Sequence, residues 1–309
     1  MRQVGHDSQR GRYARWLAAA MAAAMLVGAG CAQLAEKERE LTFRVVPGTA
    51  SWFSGLPAGV QETDLTLEVE GHRQHIHAWW WPAATAEAPA ILYLHGSRWN
   101  LTGQTSRIEQ LHTFGFSVLA IDYRGFGKSD GNLPSEETVY EDARVAWQRL
   151  TELQPDPGKR FIYGHSLGGA VAIDLAAWLS ETATQAGLEV PARGLIVESS
   201  FTTLADIAQV VTSPWLPVKL LLSQKFDSLS KVRELRMPVL IVHGSGDVYV
   251  PKRFSEELYA AAAEPKRLLL VDGATHNNCL RVASAQYLSA IRELFGLKPA
   301  SRPQGNAKS

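Results

Sequence analysis

The sequence predicts an α/β fold in which an open, mostly parallel sheet of about eight strands is flanked by helices. Six short, strongly apolar runs recur along the 309 residues, and helical segments separate them. Continuous apolar runs suit strands that are buried on both faces, as in a parallel sheet covered by helices. The regular alternation of strand and helix therefore indicates a doubly wound sheet.

The strands are predicted as one hairpin followed by six buried runs. Residues 64–81 (DLTLEVEGHRQHIHAWWW) give two strands joined by a turn at 70–73. The six runs are AILYLHG (90–96), FSVLAIDYRG (116–125), RFIYGHS (160–166), GLIVESS (194–200), PVLIVHG (238–244) and RLLLVDG (267–273).

Helices are predicted between these runs. Residues 135–153 carry one apolar stripe at helical spacing, formed by Val139, Ala143, Ala146, Trp147, Leu150 and Leu153. Further helices are predicted near 104–114, 167–180, 253–263 and 277–295. The connection 201–237 is much longer than a simple crossover and is rich in apolar residues, which predicts a small helical lid over the strand ends.

The overall composition is that of an ordinary globular protein. Hydrophobic residues make up 46% of the chain, and 31 basic residues balance 31 acidic ones. This balance gives no electrostatic reason to expect nucleic acid or an anionic membrane face as a partner.

The N-terminus has the pattern of an export signal. Four arginines within residues 1–15 precede the apolar stretch 16–30, which stops at Cys31. Gly-Ala-Gly-Cys at 28–31 resembles a bacterial lipobox, in which the cysteine is acylated, although Gly28 stands where that motif usually has Leu. We therefore expect an exported lipoprotein anchored in a bacterial cell envelope; plain secretion and an uncleaved anchor are the alternatives. Acylation of Cys31 would leave Cys279 without a disulfide partner.

These observations divide the chain into four parts. A signal segment (1–31) is followed by a linker and lead-in (32–62), the catalytic-type domain with its lid (63–297) and a disordered tail (298–309).

Ser166 is the predicted nucleophile. It stands between an apolar strand and an Ala-rich helix in Gly-His-Ser-Leu-Gly, so that Gly164 and Gly168 flank it at two residues on each side. A nucleophile elbow needs small residues at those positions, because the sharp strand-to-helix turn leaves no room for larger side chains. An ordinary turn serine is the alternative.

A serine hydroxyl needs a base and an orienting acid. His276 is the only histidine that lies in a loop and follows every other candidate, and Asp247 follows the strand predicted at 238–244. The order serine, acid, histidine is the order of α/β-hydrolases. Glu198 is the rival acid. Two further acids lie near the predicted site: a structural hydrogen-bonding role is expected for Asp122, and Asp174 is expected to face away.

Two backbone amides are predicted to form the oxyanion hole. One belongs to Leu167, directly after the nucleophile, and the other to Ser97, in the loop after the strand predicted at 90–96. The histidines at 72, 75 and 77 cluster on the hairpin, and His75 and His77 share one strand face, but no acid or cysteine completes a metal set. No metal or organic cofactor is implied.

The chain resembles the bud-emergence-type serine α/β-hydrolases, a group of domain-containing hydrolases of bacteria and eukaryotes. The resemblance covers residues 91–278 and is carried by DYRGFGKSDG (122–131), YGHSLGGAVA (163–172), ESSFTTL (198–204), FDSLSKV (226–232) and HGSGDVYVP (243–251). It implies the α/β-hydrolase fold and Ser166, Asp247 and His276 as the triad. The family usually has Asn after His-Gly, where this chain has Ser97; a backbone donor survives that change.

We therefore expect a serine hydrolase that cleaves a carboxylic ester, a thioester or a lipid-like acyl ester through an acyl-enzyme. A peptidase or amidase on the same fold and a non-catalytic binding protein are the alternatives. The expected partner is a small ester or acyl substrate, with the membrane reached through the N-terminal segment. The sequence leaves the substrate and the oligomeric state undetermined.

Overall fold

The computed structural model describes residues 30, 32–213, 215 and 217–297. Its strands are β1 (Gln61–Val69), β2 (His72–Trp81), β3 (Ala90–Leu94), β4 (Ser117–Ile121), β5 (Arg160–His165), β6 (Gly194–Glu198), β7 (Val239–Gly244) and β8 (Lys266–Val271). They form one sheet in the order β1-β2-β4-β3-β5-β6-β7-β8. The first two strands pair antiparallel with each other and β2 pairs antiparallel with β4, whereas every other pairing is parallel. The predicted fold class is confirmed.

The helices are α1 (32–43), α2 (Thr105–Thr113), α3 (Glu136–Leu153), α4 (Leu167–Ala186), α5 (Leu204–Val211), α6 (Val218–Leu221), α7 (Ser228–Lys231), α8 (Arg253–Ala261), α9 (Cys279–Val282) and α10 (Ser284–Phe295). Short 3-10 turns lie at Leu101–Gly103, Pro157–Lys159 and Val232–Glu234. Helix α3 begins at a capping box, in which the Ser135 hydroxyl accepts the Thr138 N–H and the Thr138 hydroxyl accepts the Ser135 N–H.

Helices cover both faces of the sheet. Side chains of α3, α4 and α8 pack with one face, as shown by Trp147, Ile173 and Phe254, and those of α2 and α10 pack with the other, as shown by Leu111 and Ile291. This two-sided burial explains why the central strands read as continuous apolar runs. The edge strand β8 is half-exposed because it has a neighbour on one side only.

The segment predicted as a linker contains helix α1, which packs on the lid (201–237). The Glu38 carboxylate, which is 6% exposed, accepts the backbone N–H groups of Ser223 (2.8 Å) and Gln224 (2.7 Å) and the Ser223 hydroxyl (2.7 Å). Phe43, at the end of α1, is fully buried against Phe126 and Phe226. These contacts cannot be read from the local sequence, because the two partners of each contact lie far apart along the chain.

The connection 201–237, predicted to be a lid, contains α5, α6 and α7 between β6 and β7. The predicted signal segment and the tail lie outside the described residues, and so does the lipidation predicted at Cys31. Within the ranges 32–213 and 217–297, no helix is both long enough and apolar enough to cross a bilayer.

Candidate active site

Ser166 occupies a strained turn between β5 and α4. Its backbone has φ 56° and ψ −120°. This conformation is strained for any residue other than glycine, and it is typical of functional turns. Two hydrogen bonds hold it: the Ser166 N–H donates to the Glu198 carbonyl (2.9 Å), and the Ser200 hydroxyl donates to the Ser166 carbonyl (2.9 Å). The turn is therefore fastened to the end of the neighbouring strand β6.

The flanking glycines are required by contact with backbone atoms. A Cβ at Gly164 would lie 2.1 Å from the carbonyl oxygen of Gly168, and a Cβ at Gly168 would lie 2.1 Å from the carbonyl oxygen of Leu94. Such contacts are far shorter than van der Waals distance. The start of helix α4 can therefore lie this close to β3 and β5 only because Gly164 and Gly168 lack side chains. The spacing seen in the sequence thus has its expected steric origin.

Asp247 and His276 are in direct contact. Nδ1 of His276 lies 2.7 Å from Oδ2 of Asp247, whose side chain is fully buried. The other carboxylate oxygen accepts the backbone N–H groups of Tyr249 (2.9 Å) and Val250 (3.0 Å). These bonds fix the carboxylate after β7 and direct it at the imidazole, as an orienting acid requires.

A second histidine also faces this carboxylate. Nε2 of His243 lies 3.3 Å from Oδ2 of Asp247, and Nδ1 of His243 lies 2.7 Å from the Ser255 hydroxyl. Burial favours the neutral acid, but the hydrogen bonds from His243 and His276 outweigh it and lower the pKa of Asp247 well below its ordinary value of 3.8. Asp247 is therefore ionised throughout the neutral range.

The loop of His276 is held against the residue that precedes Ser166. Nε2 of His165 lies 2.8 Å from the His276 carbonyl oxygen, and the two imidazole rings have centroids 4.8 Å apart. Burial lowers the pKa of His165 well below its ordinary value, and the positive charge of Arg107 lowers it further. His165 is therefore neutral near pH 7 and donates from Nε2 to this carbonyl.

The structure thus joins Asp247 to His276 and places the loop of His276 beside the elbow. Within the described ranges, the Ser166 hydroxyl forms no hydrogen bond with His276. Catalytic hydrogen bonds of this kind are often long in a protein without substrate and shorten in the complex. The participation of all three residues in catalysis remains a prediction.

The loop after β3 touches the elbow where the second oxyanion donor is predicted. A Cβ at Gly96 would lie 3.1 Å from Cβ of Ser166 and 3.2 Å from the His165 carbonyl oxygen, so Ser97 follows a point of close contact. Leu167 is the first residue of α4, where a backbone N–H has no acceptor within its own helix. Leu167 thus directly follows the nucleophile, and Ser97 follows a residue that contacts the elbow; their role as oxyanion donors stays a prediction.

The rival acid Glu198 belongs to a buried polar cluster. Its Oε2 accepts the hydroxyls of Tyr163 (3.0 Å) and Tyr287 (3.0 Å), and its Oε1 lies 3.5 Å from the guanidinium of Arg107. Burial raises the pKa of both tyrosines well above the ordinary value, so both hydroxyls keep their protons and donate. These contacts assign the Glu198 side chain a structural role, and its partner Arg107 was not foreseen from sequence.

Asp122, Asp174 and Cys279 have structural environments outside the Asp247–His276 pair. Asp122 accepts the Leu101 N–H (2.8 Å), and Asp174 pairs with Lys231 (2.7 Å). Cys279 is fully buried, and burial raises the pKa of its thiol to about 12. That thiol is therefore protonated at neutral pH and is not an activated nucleophile.

The histidine cluster on the hairpin separates in the structure. His77 lies between the carboxylates of Glu62 (3.0 Å) and Asp122 (3.2 Å), while His72 and His75 are exposed. In the portion of the chain that the structure describes, no three His, Cys, Asp or Glu side chains are arranged to hold a metal ion. A cavity of about 360 Å³ opens beside His77 and is also lined by Trp79, but it contains none of the predicted triad.

Apolar and aromatic side chains border the Asp247–His276 pair. Val248 and Tyr249 directly follow the carboxylate and are 85% and 66% exposed, and the Tyr249 ring centroid lies 5.8 Å from that of His276. This border gives an apolar group of a substrate a surface to contact next to the imidazole.

Comparison with known proteins gives related sequences and a related fold. The family model described as serine aminopeptidase, S33, matches residues 86–234. An uncharacterized protein of Mycobacterium tuberculosis is 34% identical over 262 residues, which cover 84% of this chain and 87% of that protein. Lysophosphatidylserine lipase ABHD12 of Danio rerio is 31% identical over 204 residues, which cover 62% of this chain and 51% of that protein. The structure of the Pyrococcus furiosus esterase Pf2001 has a TM-score of 0.60 with this one and is 20% identical in sequence, and the match covers 81% of this chain and 97% of that chain. At this identity the similarity shows the fold alone.

Proposed function

The chain belongs to the α/β-hydrolases, and from that premise we propose that it is a serine hydrolase that cleaves carboxylic esters through Ser166, Asp247 and His276. The observation that carries this proposal is the 2.7 Å contact between His276 and the buried Asp247 carboxylate. His165 holds the loop of His276 beside the strained Ser166 turn. An acid–imidazole pair next to a nucleophile elbow is the arrangement that acyl transfer requires.

Each residue has one role in the proposed reaction. His276 takes the Ser166 proton on Nε2 while Ser166 Oγ attacks the substrate carbonyl, and Asp247 stabilises the resulting imidazolium. The amides of Ser97 and Leu167 donate to the oxyanion. Collapse of the tetrahedral intermediate expels the alcohol, which receives the proton from His276. Water then attacks the acyl-enzyme by the same path and releases the acid.

The preferred substrate is an ester with an apolar acyl group. The exposed Val248 and Tyr249 beside His276 support this preference, and so does the similarity to a lysophosphatidylserine lipase. A panel of nitrophenyl esters graded by acyl length tests it: we expect kcat/KM to rise with chain length, whereas a constant or falling series contradicts it.

A labelling experiment tests the nucleophile. We expect a fluorophosphonate probe to label the protein and Ser166→Ala to abolish both labelling and hydrolysis of a nitrophenyl ester. Ser289→Ala, an exposed serine on α10, is the matched control and should retain both. Labelling that persists in Ser166→Ala contradicts the assignment, and a parent protein that resists both probe and ester supports a non-catalytic binding protein.

Amide cleavage is the second candidate, because the matching family model is described as a serine aminopeptidase. Parallel assays with aminoacyl-nitroanilides and nitrophenyl esters separate the two reactions. A higher kcat/KM on the anilides would favour the peptidase.

We also propose that the protein is exported and anchored to a membrane of the bacterial envelope through an acylated Cys31. The arginines and apolar stretch before that cysteine support this proposal. Mass spectrometry of the mature N-terminus tests it. A mass that begins at residue 31 with added acyl groups is expected, and an unmodified residue 31 contradicts acylation.

A further inference from the structure

The lid carries an exposed apolar face that neither the fold core nor the candidate site uses. We define the lid face by five residues, with their exposed fractions: Val210 (40%), Val211 (76%), Trp215 (81%), Leu220 (85%) and Leu221 (44%). Single exposed apolar side chains are normal on a soluble protein, but a cluster of this kind marks a surface that meets another apolar phase or partner.

Four residues of the lid face lie on helices α5 and α6, which are held together, and Trp215 lies in the connection between these helices. Lys219 of α6 lies 3.5 Å from Asp206 of α5, and its side chain is 75% exposed. An exposed lysine next to exposed leucine and tryptophan is the combination found at membrane interfaces, where the amine lies among headgroups and the aromatic ring at the boundary.

Helix α1 ties the start of the described chain to this lid. Glu38 binds the backbone of Ser223 and Gln224, which lie two and three residues after the end of α6. Helix α1 begins at residue 32, six residues before Glu38, so its first residue is about 9 Å from the Glu38 contact along a helix with 1.5 Å rise per residue.

The N-terminal sequence contains the segment proposed to anchor the protein in a membrane. Residues 16–30 form the apolar stretch and Cys31 is the proposed acylation site. A bilayer that holds either of them therefore comes within reach of the lid, because only six residues lie between Cys31 and Glu38 in the sequence.

We propose that the lid face lies on a phospholipid bilayer and holds the sheet edge with Ser166 toward the membrane. The inference rests on the proposed export and anchoring. The lid begins three residues after β6, whose last carbonyl holds the Ser166 N–H, so contact at the lid presents that edge to the lipid surface. The substrate class that fits this placement is an acyl ester that resides in or partitions into the bilayer.

Site-specific fluorescence in the full chain tests the contact. An environment-sensitive fluorescent amino acid replaces Leu220 in protein reconstituted at one copy per phosphatidylcholine nanodisc, with nitroxide-labelled lipid as the quencher. The matched control replaces Leu188, which is 68% exposed and follows the far end of α4. Both positions are exposed, so neither replacement disturbs the core.

We expect the lipid quencher to reduce the emission from position 220 at least threefold more than that from position 188. Equal quenching overturns the proposal. A blue-shifted but unquenched probe at position 220 also overturns it, because the face would then be covered by protein.

An activity measurement separates this inference from the proposed chemistry. Val211→Glu combined with Leu220→Glu should slow hydrolysis of a lipid ester in the nanodisc at least tenfold and leave a short soluble ester unchanged. If the double variant hydrolyses the nanodisc ester as fast as the parent does, the proposed contact between the lid face and the bilayer is contradicted. If the parent hydrolyses neither ester, the proposed function fails, and the quenching result still decides the contact.

Discussion

Nδ1 of His276 lies 2.7 Å from Oδ2 of Asp247, although 29 residues separate them in the sequence. The carboxylate accepts a hydrogen bond from Nδ1–H, so that in the neutral ring Nε2 carries no proton and can act as a base. The contact therefore selects the tautomer that the proposed reaction needs.

Asp247→Asn should lower kcat on a short nitrophenyl ester by about 10³–10⁴-fold, because the amide no longer favours the Nδ1-protonated ring. The substitution keeps the side-chain shape and an oxygen for the Tyr249 and Val250 amides. Circular dichroism at the assay temperature checks that the variant is folded. A folded variant with a tenth or more of the parent kcat would exclude Asp247 as the orienting acid.

Glu198→Gln should show the opposite pattern. The change leaves the buried Arg107 guanidinium without its carboxylate, so we expect the free energy of unfolding to fall by about 3 kcal/mol. We expect kcat per folded molecule to stay within about threefold of the parent, since the side chain binds Tyr163 and Tyr287 and not the base. Urea unfolding and active-site titration measure the two effects. A loss of kcat without a loss of stability would restore Glu198 as the rival acid.

The parts of the fold that the sequence predicted well are those decided by local pattern. The run at 160–166 became β5 because both of its faces are buried, and the helix at 135–153 became α3 because its stripe and its Ser135 cap agree. The elbow could be recognised because steric crowding demands glycine at fixed offsets from Ser166.

The parts that were missed depend on partners distant in sequence. Arg107 and Glu198 lie on different elements, and nothing within either segment signals the other. The packing of helix α1 could not be predicted for the same reason. In the sequence Glu38 resembles an ordinary surface acid, and its burial depends on contact with the lid backbone. The hydrogen bond from His165 to the His276 carbonyl could not be predicted either, because these residues are 111 positions apart in the sequence.

Gly168→Ala should destabilise the protein by about 3 kcal/mol, at the upper end of the usual range for overpacking. The added methyl would lie 2.1 Å from the Leu94 carbonyl and 2.5 Å from the His95 carbonyl, and neither backbone group is free to move. Urea unfolding measures the loss. Gly158→Ala is the matched control and should cost less than about 1 kcal/mol, because its Cβ meets only the Asp156 side chain at 3.2 Å. Equal losses in the two variants would show that the elbow is not tightly packed.

His77 should make stability depend on pH. Its ring nitrogens face Glu62 and Asp122, and burial opposes the charged ring. The hydrogen bonds to Asp122 and Glu62 nevertheless raise the pKa of His77 above its ordinary value of 6.5. A pKa that is higher in the folded state contributes stability that is fully present below pH 6.5 and is lost as pH rises through the folded pKa.

The stabilisation of the parent over His77→Gln should therefore be larger at pH 5.5 than at pH 8.5, as measured by urea unfolding at both values. His75→Gln is the control, because His75 is exposed on the same strand and, within the described residues, its side chain pairs with no carboxylate. The control should keep the same difference from the parent at both pH values. A gap for His77→Gln that widens as pH rises would mean that the two carboxylates do not favour the charged ring.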